Sequence, residues 1–148
     1  VIVRSLLASM TMVALVSSAW GATLTAVCKD PKGRTIGIEG QIGGNKPIDA
    51  PDYMRGQFTL IWEVGKDEAQ VISTVVRGAG PLLERALRVH SSDESVTFVV
   101  TYPRGVWLYS IFWKPGRLLI TRHSEGYALN YGGAIAVSME APCDVSFK

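Results

Sequence analysis

The sequence is poor in the residues that most enzymes and metal proteins rely on. Among 148 residues there are two histidines, His90 and His123, and two cysteines, Cys28 and Cys143. No His-x-His or Cys-x-x-Cys pair occurs, and Asp49 and Asp52 flank Ala50-Pro51 without the glycine and glutamate spacing of a calcium loop. Metal and cofactor chemistry therefore have nothing to start from. There is no Gly-x-Ser-x-Gly elbow, and the glycine-rich Gly40 to Gly44 is followed by neither the Lys-Ser pair nor the helix of a phosphate loop. His123 and Ser124 are adjacent, but neighbouring residues on a strand point to opposite faces, which disfavours a nucleophile and base pair. No catalytic residue is expected, and a binder is favoured over an enzyme.

A concentrated basic patch is also missing. The chain carries a formal net charge of +2 with its lysines and arginines scattered, which argues against nucleic acid as a partner. Long apolar runs are confined to the start. Arg4, the apolar Leu6 to Val16 and the small residues around Ser17 to Ala22 read as a secretory signal peptide over residues 1–21, cut after Gly21 or, second choice, after Ala19. The apolar run falls short of the ~20 residues that span a bilayer, and no later segment could cross as a helix. Residues 22–148 are then one domain, expected in the periplasm or outside the cell, with a net charge near zero to slightly positive once Arg4 is gone. In that setting Cys28 and Cys143, near the two ends of the domain, are expected to form a disulfide.

What the sequence does contain is strand signal. Val106 to Trp113 is its strongest strand-forming run and is apolar on both faces: Val106, Leu108, Ser110 and Phe112 on one, Trp107, Tyr109, Ile111 and Trp113 on the other. Such a strand is either covered on both sides or shows an aromatic row to a partner. Prolines and glycines divide the rest into short runs, giving nine strand candidates with all seven prolines between them. Asp30-Pro31-Lys32-Gly33 is expected to turn the first run, Thr23 to Lys29, into a hairpin with Arg34 to Glu39, and Gly40 to Gly56 to be the longest loop, a candidate lid or rim. The expected fold is all-β, an antiparallel up-and-down meander of about eight or nine strands closed into a small barrel, with a β-sandwich as the alternative. An outer-membrane barrel fits less well, because the strands are shorter than the about 9–11 residues that cross a bilayer.

Five residues are candidates for binding. Trp107, Tyr109 and Trp113 could form a docking platform, and Arg122 could sit at a barrel mouth and hold a carboxylate. His123 is the fifth. The facing of their strand is open: if Leu118 and Ile120 point inward so does Arg122, and if Leu119 and Thr121 do, His123 joins them.

The run Phe112-Trp113-Lys114-Pro115-Gly116, in a short secreted all-β chain with one terminal cysteine pair, resembles the small periplasmic lysozyme inhibitors of the membrane-bound C-type class. The resemblance covers about five residues, and the Ser-Gly-x-Tyr loop that those inhibitors insert into an enzyme cleft has no counterpart here. It implies an enzyme inhibitor as one alternative; a carrier of a small apolar ligand, sharing a barrel shape with lipocalins, is another. The favoured expectation is a non-catalytic binding module for an envelope protein or glycan.

Overall fold

The structure is a computed structural model that describes residues 21–37, 48–74, 80–125 and 134–148. The signal peptide rests on residues that lie almost wholly outside these, as do most of the expected turn after Glu125 and the first part of the expected 40–56 loop. The described residues form ten strands and no helix: β1 Thr23–Lys29, β2 Lys32–Gly37, β3 Ile48–Tyr53, β4 Gln57–Glu63, β5 Glu68–Ser73, β6 Leu82–Ser91, β7 Ser95–Tyr102, β8 Gly105–Phe112, β9 Arg117–Glu125 and β10 Ala134–Phe147. Eight of them run in the order β1-β4-β5-β6-β7-β8-β9-β10, and β10 pairs back onto β1, so the sheet is a closed antiparallel barrel. Closure removes the edges that a meander of this length would otherwise leave exposed.

The remaining two strands correct the sequence reading. β1 and β2 form no hairpin. Both lie along the same side of β10, β1 with Cys28 opposite Cys143 and β2 with Lys32 opposite Glu140. The pairing slips by one residue between them, at Asp30-Pro31, where Asp30 takes a left-handed φ of 49°. The Asp-Pro step bends one long strand instead of reversing it. Gly33, read from sequence as a turn residue, is needed for a different reason: a Cβ there would lie 1.8 Å from the Ser138 carbonyl oxygen of β10.

β3 and β4 bend in the same way across Met54-Arg55-Gly56, with Gly56 at φ 136°. β3 pairs with β2 and β4 with β1. Residues 48–53, expected in a loop, are therefore a strand, and Pro51 and Pro142 sit inside strands, contrary to the expectation that no proline would. Each proline occupies a place where a missing N–H costs little. β3 ends the strand order, so it has an unpaired side among the described residues. Pro142 falls where β10 changes partner, after the pairing with β2 ends at Glu140 and before that with β1 begins at Cys143.

The inner faces follow the period of two in the sequence. Leu24 and Ala26, Phe58, Leu60 and Trp62, Val96, Phe98 and Val100, Leu118 and Ile120, and Val137 and Met139 are buried in one continuous core. Large side chains fill it, with Trp62 edge-on to Phe98 at 5.7 Å. The Cys28–Cys143 disulfide crosses the seam between β1 and β10. One end of the barrel is held shut by hydrogen bonds. There Trp62 Nε1 donates to Lys66 O at 2.8 Å, Arg88 Nε donates to the same carbonyl at 3.1 Å, and Trp113 Nε1 donates to Asp93 O at 2.8 Å.

Candidate binding site at the barrel mouth

The opposite end, where β5, β7 and β9 finish and β6, β8 and β10 begin, gathers polar and aromatic side chains on the inner face. The facing of β8 places them. Trp107, Tyr109 and Ile111 turn inward, and Val106, Leu108 and Phe112 lie half-buried on the outer wall. The aromatic row seen in the sequence thus lines the inside of the barrel. Leu118 and Ile120 are buried and Leu119 is exposed, so β9 takes the register that brings Arg122 inward. Arg122 lies directly opposite Trp107 in the β8–β9 pairing.

From this register the site follows. The Arg122 guanidinium carbon sits 5.1 Å from the Trp107 ring centroid, and Arg122 Nε donates to Ser124 Oγ at 3.2 Å. Gly105 allows that packing, since a Cβ there would lie 2.5 Å from His123 O and 2.8 Å from Ser124 Cβ. Behind the cation, Trp107 stacks on Tyr109 with centroids 6.0 Å apart and an interplanar angle of 25°. Tyr102 meets the edge of Trp107 at 6.2 Å and donates its hydroxyl proton to Glu84 Oε1. A cation over an indole face contributes about 0.5–2 kcal/mol, more as water is excluded.

Tyr109 is the most deeply placed member, 1% exposed. Burial pushes its phenol well above the ordinary tyrosine range, and the charges at Tyr102 and Glu84 and a hydrogen bond with Tyr102 push the same way; Arg122 opposes them. A raised folded-state value means that stability is unaffected below the unfolded tyrosine pKa of ~10. It falls as pH rises beyond that, because the unfolded chain then ionises while folded Tyr109 keeps its proton. Tyr109 should stay protonated in the native protein in a phenolate absorbance titration to pH ~12. Tyr109→Phe should leave the native amplitude unchanged while lowering the amplitude in denaturant by one phenol. An unchanged denatured-minus-native difference in that variant would refute the assignment.

The structure brings together three of the five residues singled out from sequence, Trp107, Tyr109 and Arg122. Trp113 is at the other end, edge-on to Phe147 at 5.7 Å, in the turn that carries the inhibitor resemblance. His123 is exposed on the outer wall, between Val106 and Ala136. Tyr102, Glu84 and Ser124 were not foreseen as site residues. For Tyr102 a signal existed: the period of two through Val96, Phe98 and Val100 reaches it next. For Glu84 there was none, since its inward neighbour is the small Ala86 and the leucines beside it face out or lie at the rim.

Compared with protein-family models and with curated proteins, the chain finds no match in either.

Proposed function

We propose that this protein is a non-catalytic binding module of the periplasm or extracellular space, and that the end of the barrel carrying Arg122 and Trp107 holds an anionic group, a carboxylate above all, of an envelope protein or glycan. The observation that carries the reading is the convergence of Arg122, Trp107 and Tyr102 at one end of the barrel, with Glu84 taken up by the Tyr102 hydroxyl. A guanidinium backed by an aromatic face suits carboxylate recognition, because its planar fork matches two oxygens and its geometry is held before the ligand arrives. The large side chains of the inner face favour this over a carrier, since Phe58, Leu60, Trp62, Phe98 and Ile111 are buried together in one core. The disulfide supports an oxidising compartment.

Calorimetric titration with carboxylate-bearing peptidoglycan fragments tests it. Arg122→Gln should weaken binding about 10- to 100-fold, the loss of one charge-assisted hydrogen-bonded contact of about 1.5–3 kcal/mol. Trp107→Phe should cost less. Equal affinity in the wild type and in Arg122→Gln would overturn the reading.

A further inference from the structure

A second concave surface lies on the outer wall, where the two long bent strands face each other. It is a cleft of about 350 Å³ lined by Asp30, Lys32, Tyr53, Met54 and Arg55. That volume is at the small end of the ~300–1,000 Å³ of small-molecule sites and matches a single ring-sized group. The two bulges that bend the strands also build its walls. Asp30 N donates to Gly56 O at 2.9 Å, Gly56 N donates to Asp30 Oδ1 at 3.0 Å, and Met54 N donates to Pro31 O at 2.9 Å. The left-handed Asp30 and the positive φ of Gly56 are fixed by these bonds, so the cleft is preorganised.

Its chemistry is specific. Tyr53 is 63% exposed, and one side of its ring is covered by Arg55, whose guanidinium carbon is 5.8 Å from the ring centroid. Lys32 stands directly opposite Tyr53 in the β2–β3 pairing. Among the described residues neither Lys32 nor Arg55 has a carboxylate within ion-pair distance, whereas Arg34, on the same outer face, is 2.8 Å from Asp49. Three carboxylates lie close by, and Asp52 is taken up by Tyr53 N at 2.8 Å and Thr35 Oγ1 at 2.6 Å. One oxygen of Asp30 is committed to Gly56, and Glu140 is opposite Lys32 in the β2–β10 pairing without forming an ion pair with it. Two cations without an ion pair among the described residues, flanking an exposed aromatic ring with acceptors at hand for hydroxyl groups, are complementary to an acidic sugar: carboxylate to the cations, the apolar face of the ring to Tyr53 and Met54.

We infer that this cleft is a binding site for a uronic-acid residue of an acidic glycan. The inference is independent of the mouth, and its test separates the two. Tetragalacturonate is titrated into the ¹⁵N-labelled protein, and amide shifts are followed in the wild type and in Arg55→Gln, Tyr53→Ala, Lys114→Gln and Arg122→Gln. All of these side chains except Arg122 are exposed, so their replacement leaves the core intact. Saturable shifts centred on 53–56 and 30–33, weakened at least fivefold by Arg55→Gln and by Tyr53→Ala but not by Lys114→Gln, establish the site. Binding that is lost in Arg122→Gln and kept in Arg55→Gln would place the sugar at the mouth and overturn the inference. So would equal binding of the uncharged glucose tetramer maltotetraose, or no saturable shift with either sugar.

Discussion

Replacing Cys28 and Cys143 together by alanine should lower the stability of the domain by about 4–5 kcal/mol, and the melting temperature by roughly 10–20 °C. The size of the effect comes from the chain between them: the cysteines are 115 residues apart, and the cost of closing so long a loop is removed from the unfolded state in the chain-entropy model. The place of the bond adds a local consequence. Cys28 and Cys143 face each other across β1 and β10 with their Cα atoms 4.1 Å apart, and Cys143 N–H is donated to Gly116 O at 2.9 Å, as expected at a non-hydrogen-bonded pair. Beyond Pro142, β10 has left β9 and has β1 as its one strand partner. Hydrogen exchange in the reduced or substituted protein should therefore rise first at 143–147 and 24–28. A loss below about 1 kcal/mol by denaturant titration would show that the seam is held by its strand pairing and packing alone.

Phe98→Ala should cost about 3–5 kcal/mol, the range for an aromatic side chain removed from a packed core. Phe98 is 0% exposed, edge-on to Trp62 and opposite Tyr109 on the neighbouring strand. The informative comparison is Phe112→Ala. Phe112 lies on the next strand and is the same residue type, but it faces the outer wall and is half-buried. Its removal should cost roughly 1 kcal/mol, the partial burial of a side chain worth about 1.5–3 kcal/mol in full. Urea titration of both variants checks the facing of β7 and β8 together. Equal costs would contradict the assigned facing, and a larger cost for Phe112→Ala would mean that the inner and outer faces are exchanged.

Strands such as β4 and β7 were legible because Phe58, Leu60 and Trp62, and Val96, Phe98 and Val100, alternate with more polar residues on a barrel wall whose one side is buried. β3 was not, because its inner face carries Ala50 and Asp52, and Asp52 accepts a hydrogen bond from Thr35 at 2.6 Å instead of packing in the core. No apolar period exists there to be read. Asp30-Pro31 and Gly56 were seen as punctuation, and they are. But left-handed and proline residues mark bulges as well as reversals, and only pairing with β10 decides between them.

The site was half legible for a similar reason. Arg122 drew attention as a charge among apolar neighbours, but its facing depended on a register that the sequence left open, and the pairing of Arg122 with Trp107 resolves it. The aromatic run from Trp107 to Trp113 was apolar on both sides because the inner side lines the core and the outer side is itself half-buried. That is why composition could not tell a platform from a lining. Glu84 entered the site through its contact with the Tyr102 hydroxyl on the neighbouring strand β7, and no local pattern announces it.

Trp107, set beneath the Arg122 guanidinium with its row turned inward, is the point on which the functional reading stands. It can be probed by iodide quenching of a protein that keeps Trp107 alone, with Trp20, Trp62 and Trp113 changed to phenylalanine. Quenching should fall between that of free indole and that of the corresponding Trp62-only protein, and Arg122→Gln should increase it by uncovering the ring. Quenching as complete as that of free indole, unmoved by Arg122→Gln, would mean that β8 presents its aromatic row to solvent and that no Arg122–Trp107 site exists.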